Sequence, residues 1–132
     1  MDTIEVGKHC KITVIHDVPC LKIKWIGLPP SDEFRAGCNM VLELMRKHSI
    51  VKVLTDNTEA KVFAVEDQKW LNEVWLPQAQ AIGYCCSAVL LPNDPFVTFA
   101  VKNIMAKRDP KKFTSHFFSD ELKAIEWLKQ VK

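Results

Sequence analysis

Apolar positions along this chain change their spacing several times, and each change marks a boundary between elements. From Cys10 to His16 the chain alternates, with Cys10, Ile12 and Val14 against Lys11, Thr13 and Ile15. A period of two is what a half-buried strand requires, because successive side chains leave opposite faces of the pleat. Asp17-Val18-Pro19 interrupts it as a turn. Alternation resumes from Cys20 to Ile26, with Leu21, Ile23 and Trp25 on one side and Lys22 and Lys24 on the other. Two such runs with a short link predict an antiparallel hairpin. Residues 1–9 read equally as a short strand or as an arm.

After Gly27-Leu28-Pro29-Pro30 the spacing becomes helical. Phe34, Cys38, Val41, Leu42 and Met45 form one stripe, Ser31 stands at the N-cap, and Arg46-Lys47-His48 close the last turn with positive charge. Ile50 to Asp56 is a β-branched run without the alternation of an exposed strand, so it predicts a strand buried on both faces. Residues 56–61 are polar and read as a loop, followed by the apolar patch Val62-Phe63-Ala64-Val65. A second helix opens at Glu66-Asp67-Gln68, with Trp70, Leu71, Val74 and Trp75 sharing a face. Pro77 is expected to kink or end it, since its ring removes a helical hydrogen bond. Ile82-Gly83 stops the segment.

Tyr84 to Leu91 is the second candidate for a central strand. Asp94 as N-cap and Pro95 at the first helical position then start a third helix. Its inner side is read as Phe96, Phe99, Ala100, Asn103 and Ile104, and Lys107-Arg108-Asp109-Pro110 ends it. Phe113 to Phe118 reads as a last strand. Ser119-Asp120-Glu121 caps a final helix whose inner face is expected to carry Leu122, Ile125 and Leu128, with Ala124 and Trp127 beside them.

The order is β-β-α-β-α-β-α-β-α. Strands that alternate with helices need crossover connections and therefore pair in parallel, whereas the leading hairpin is antiparallel. The expected architecture is one α/β domain over residues 1–132, a mixed sheet covered by about four helices. That suits a chain of 132 residues, a length typical of one domain.

Composition narrows the function classes. With 48% hydrophobic and 26% charged residues the chain is globular, and no apolar run approaches the roughly 20 residues that span a bilayer. A net charge of +2 with scattered basic residues gives no footprint for nucleic acid. The five cysteines contain no Cys-x-x-Cys pair, there is no Asn-x-Ser/Thr acceptor, and the N-terminus has no apolar signal core. A cytoplasmic setting with reduced thiols is the expectation.

Candidate chemistry is sparse. Asp56, with Asn57 beside it, falls where the first central strand should end, and open α/β sheets gather ligands beyond the carboxyl ends of their strands. The competing role for Asp56 is to cap its own turn. Trp70 and Trp75 either line a pocket for an apolar ligand or belong to the core. Cys85-Cys86 invites a nucleophile, yet neighbours in a strand point to opposite faces, and only His116 is on offer as a base. His9, Cys10, His16 and Cys20 fit no zinc spacing, and the four glycines are scattered singly, so neither a metal nor a nucleotide cofactor is expected.

One further pattern adds to this. Trp25, Phe34-x-x-Gly37, Leu54-Thr55-Asp56, Trp70-Leu71, Trp75-Leu76-Pro77, Gly83 and the ending Phe118-x-Asp120-x-x-x-Ala124-x-x-Trp127-Leu128 together resemble the SpoIIAA-like, STAS-type family over most of residues 20–130. The resemblance implies a small mixed-sheet α/β domain. Some members antagonise anti-sigma factors through a phosphorylated serine, and others are similar to CRAL-TRIO lipid-carrier domains. That serine sits in Asp-Ser-Ser/Thr-Gly. Here the corresponding stretch is Asp56-Asn57-Thr58-Glu59-Ala60, so the phospho-switch does not carry over. The reading is a non-enzymatic binding or regulatory module that acts through a protein partner or a small apolar ligand, with Asp56, Asn57, Trp70 and Trp75 as candidate contacts. The alternative is a small enzyme with its site at the strand ends near Asp56. An uncovered hairpin edge leaves room for a homodimer.

Overall fold

The computed structural model describes residues 2–131, and its sheet is laid down in sequence order. Six strands, β1 (Asp2–Val6), β2 (Cys10–Ile15), β3 (Cys20–Gly27), β4 (Lys52–Ala60), β5 (Cys86–Leu90) and β6 (Thr114–Phe118), lie side by side as β1-β2-β3-β4-β5-β6. The first three are antiparallel and the last four, starting from β3, are parallel. The N-terminal stretch left open by its sequence is thus a strand, paired with β2 from Asp2↔Val14 to Val6↔Cys10. The two β-branched runs are neighbours in the middle, in register from Lys52↔Cys86 to Asp56↔Leu90.

Alternation along each strand divides the core in two. Cys10, Ile12, Val14, Leu21, Ile23, Trp25, Val53 and Val89 face a large cluster closed by α1 (Ser31–His48), by the composite helix Val65–Ile82 and by α4 (Pro95–Ala106). Ile15, Cys20, Leu54, Ala88 and Leu90 face a smaller cluster covered by α5 (Glu121–Gln130), which contributes Ala124 and Leu128. On the larger side α1 rides close to the strands because position 37 is glycine. A Cβ there would come within 2.9 Å of the Trp25 ring and 3.1 Å of Cys10 Sγ.

Four local details differ from the sequence reading. Ser31 does not cap α1; its hydroxyl donates to Asp67 Oδ2 at 2.8 Å, and Phe34 N–H bonds Pro30 O. Asp67 is buried at 1% exposure, with Arg35 Nε 3.5 Å from its other oxygen, so this cluster ties α1 to the following helix.

Next, β4 does not end at Asp56. It bulges by one residue, the register passing from Lys24↔Asp56 to Ile26↔Glu59, and runs on to Ala60. Residues 56–59 are polar yet stay in the ladder: Asp56 and Asn57 are buried, and only Thr58 and Glu59 are exposed.

The composite helix also passes through Pro77. It consists of α2 (Val65–Trp70), a π turn (Leu71–Trp75) and α3 (Leu76–Ile82), and ends at Gly83 with φ +119°. Leu76 N–H reaches back five residues to Leu71 O. One extra residue in the turn relaxes the crowding ahead of the proline and rotates the faces. Trp75 is consequently buried, whereas Val74 is 47% exposed.

Finally, the inner side of α4 is Val97, Val101 and Ile104. Phe96 and Phe99, read as inward, are 76% and 73% exposed. The helix is apolar on most of its circumference, so periodicity alone could not set its phase. The N-cap does so: Asp94 Oδ1 accepts from Phe96 N and Val97 N. In α5, likewise, Ala124 and Leu128 are buried and Leu122 is 74% exposed. The small Ala124 packs with Ala88 of β5, which brings that helix onto the centre of the sheet.

Candidate functional site

Two groups of aromatic rings stand on the three-helix side. Trp25 stacks on Phe34 at 4.9 Å, and Phe63 closes on both at 5.6 and 4.9 Å. Trp75 meets Tyr84 edge-on at 5.6 Å, and Tyr84 meets Phe113 at 4.8 Å. Rings of this size meet at fixed angles and fill space unevenly. A cavity of about 60 Å³ remains among them. Its walls are Trp25, Phe34 and Phe63, then Trp75 and Tyr84, with Val41 and Cys38 from α1, Leu71 from the π turn, and Val101, Ile104 and Met105 from α4. The floor is β4, through Val53, Thr55 and Asn57.

The π turn is the device that places two of these groups. It turns Leu71 and Trp75 toward the cavity, and Trp75 Nε1 donates to Cys38 O at 2.7 Å, which anchors the indole. It also carries Asn72, whose Nδ2 donates to Ile104 O at 3.0 Å and whose Oδ1 accepts from Arg108 Nε at 3.1 Å. Arg108 lines the cavity and is only 7% exposed. Its guanidinium lies 4.8 Å over the Phe113 ring, and Nη1 is buried without a hydrogen-bond partner. Ser87 Oγ is likewise unpartnered, and the Tyr84 phenol lies near both groups. Burial pushes the Tyr84 phenol above its usual range, with Arg108 working against that shift.

The four residues singled out in the sequence separate in space. Asn57 and Trp75 line the cavity at 2% and 4% exposure. Asp56 belongs to the opposite face of the sheet. Its Oδ1 accepts from Thr58 N–H at 2.9 Å and Thr58 Oγ1 at 2.6 Å, while Oδ2 stands 4.0 Å from Lys22 Nζ. Those bonds hold the bulge in β4. Trp70 is half-buried beside the aromatic group, 6.3 Å from Phe34 and under the Arg35 guanidinium at 5.1 Å. Arg108 was missed because Lys107-Arg108-Asp109-Pro110 reads as an ordinary helix stop; nothing local in that tetrapeptide shows that one of its cations is buried.

The two adjacent cysteines lie together at the start of β5. Cys85 precedes β5 and does not alternate with Cys86, so the two Sγ atoms meet at 3.5 Å. Burial pushes Cys86 up to about 12, and the Cys10 and Cys20 thiols as well. His116 is registered opposite Ala88, two positions beyond the Cys86↔Thr114 pair, and its ring stacks on Trp127 at 5.7 Å. Among the described residues no group of His, Cys, Asp or Glu is placed to hold a metal ion.

The order of the sheet and the split of its helices, three elements against one, can be set beside solved structures. An uncharacterized DUF3478-family protein from Shewanella loihica PV-4, described as having a SpoIIAA-like fold, superposes with a TM-score of 0.65 at 17% identity, covering 95% of this chain and 98% of that one. This chain has a SpoIIAA-like fold. The unphosphorylated anti-sigma factor antagonist SpoIIAA itself matches with a TM-score of 0.61 at 10% identity, over 92% of this chain and 99% of the other. No family model and no curated protein matches the sequence. Within the SpoIIAA-like fold, the leading hairpin and the parallel strands are those expected from the sequence, and among the described residues no helix is long and apolar enough to cross a membrane.

Proposed function

We propose that this SpoIIAA-like chain is a non-enzymatic binding module that holds a small, mainly apolar ligand between the sheet and its three covering helices. The observation that carries the reading is the cavity of about 60 Å³ lined by aromatic and aliphatic side chains, with Asn57 and Arg108 as its buried polar groups. A site that is mostly apolar, with a few placed polar groups, is the usual form of a small-molecule pocket. A cavity of about 60 Å³ is several times the roughly 10–15 Å³ that one water needs, which leaves room for a small ligand. Asn57 and Trp75 are the contacts we assign from the sequence candidates. Asp56 acts one layer away, by fixing the bulge that turns Asn57 inward.

Xenon tests this reading, because apolar cavities take it up and polar or filled ones do not. Methyl-resolved NMR under xenon pressure should shift Val41, Leu71, Val101 and Ile104 and leave Leu54 and Leu128 in place. Shifts absent from those four methyls would remove the cavity as a binding site.

A protein partner is the second reading, and a specific observation favours it. Phe96 and Phe99 are one helical turn apart on α4 and both are more than 70% exposed, and large exposed aromatics are what interface anchors are made of. One structural neighbour is an anti-sigma factor antagonist, a role exercised on another protein. Replacing both phenylalanines by serine should abolish partner capture while leaving xenon uptake unchanged.

A further inference from the structure

Arg108 is a cation taken out of water without an anion. Among the described residues the ion pairs formed are those of His9, His16, Lys22, Lys24, Arg35 and Lys129, and no carboxylate is within ion-pair distance of Arg108. The guanidinium donates to the neutral amide of Asn72, stands beside the neutral Tyr84 phenol, and has an aromatic face on Phe113. Nη1 has nothing. Burying a charge in this way is costly unless something neutralises it, and Arg presents a planar fork that matches a carboxylate.

The placement of the side chain supplies the rest. Arg108 and Met105 line the apolar cavity and also a surface groove of about 210 Å³ formed with Pro110, Phe113, Thr114 and Ser115. The guanidinium therefore stands between the interior void and solvent. A molecule with an anionic end at Arg108 and an apolar end toward Trp75 and Leu71 would satisfy both features at once. The cavity volume limits that apolar end to a few carbons.

We infer that the ligand of this cavity is a short-chain carboxylate whose carboxylate is received by Arg108 and whose tail fills the space beneath the π turn. This rests on the cavity being a ligand site, as proposed above, and adds the charge of the ligand to it. Asn72 is the positioning residue: its bond to Nε orients the fork, and its own amide is pinned to the end of α4 through Ile104 O.

Calorimetric titration with butyrate, butyramide and n-butanol separates the two levels. Butyrate should bind about tenfold or more tightly than its neutral isostere butyramide, since a charge-assisted bond adds to the same apolar contact. The preference should shrink as salt is raised. Arg108→Met should remove the preference but still admit n-butanol, and Arg108→Lys should keep part of it, because the charge remains without the fork. Arg108→Met should also melt at the same temperature as the parent or higher, since it removes an uncompensated buried charge. Equal affinity for butyrate and butyramide would overturn the anion assignment and leave the cavity reading standing. A marked loss of melting temperature in Arg108→Met, with the preference for butyrate retained in that variant, would make Arg108 a structural cation and overturn it as well. Failure of all three probes together with xenon would sink the cavity itself.

Discussion

The two faces of one sheet are covered by different means. On the α5 side a single helix sets Ala124 and Leu128 against Cys20, Leu54, Ala88 and Leu90, with Ala88, Ala124, Cys20 and Leu54 all at 0% exposure and with Phe118 and Trp127 at the rim. On the other side three helical elements and six aromatic rings meet the same strands and leave a void. Ala124 of α5 and Ala88 of β5 leave little between helix and sheet at that point. The six rings on the other side meet at 4.8 to 5.6 Å where they touch, and a cavity is left among them. The contrast separates two tasks: α5 locks the fold, and the aromatic side carries what the fold can bind. Strand β4 serves both, sending Leu54 and Asp56 to one side and Val53, Thr55 and Asn57 to the other.

The largest test of this contrast is Leu54→Ala. It should cost roughly 2–5 kcal/mol in denaturant unfolding, because the tight side offers no way to collapse onto the space left. A cost below about 1 kcal/mol would mean that this face is no better packed than its opposite. Overpacking gives the next effect. Ala88→Val should destabilise by about 1–3 kcal/mol, whereas Val101→Ile, which adds a methyl beside the void, should stay within about 1 kcal/mol of the parent. Equal costs would erase the difference between the faces. Smallest of all, Phe96→Ser and Phe99→Ser should each change stability by no more than about 0.5 kcal/mol, since both rings lie in solvent. A loss above 2 kcal/mol in thermal unfolding would put them back in the core.

How much of this could be read from the sequence depended on whether a signal was local. The hairpin was legible because alternation from Cys10 to Ile26 admits one pairing, and the central strands because β-branched runs of that length have few other uses. The stripe of α1 was legible for the same reason, and so was the resemblance to a SpoIIAA-like fold, whose motif positions (Gly37, Trp75, Gly83, Ala124, Leu128) are packing and capping positions. Phases of α4 and α5 were not legible. Their apolar residues outnumber what one face can bury, and only the N-cap geometry or a helix-to-sheet contact at Ala124 selects the buried stripe. The π turn left one trace, Pro77 inside a helical pattern, which points to a disturbance without saying that the helix survives it. The cavity left none, because its walls come from β3, β4, α1, the π turn and α4, and no window of sequence contains them together. Arg108 could have been suspected only from its place among Phe113 and Asn72, which is a fact of the fold.

The most direct measurement is a methyl-resolved NMR titration of the intact protein with butyrate, read on both faces of the sheet at once. Val41, Leu71 and Ile104 should shift along a saturable curve while Leu54 and Leu128 stay fixed. Shifts of equal size on both faces, or none at the first three, would contradict the claim that the aromatic side of the sheet receives a short-chain carboxylate.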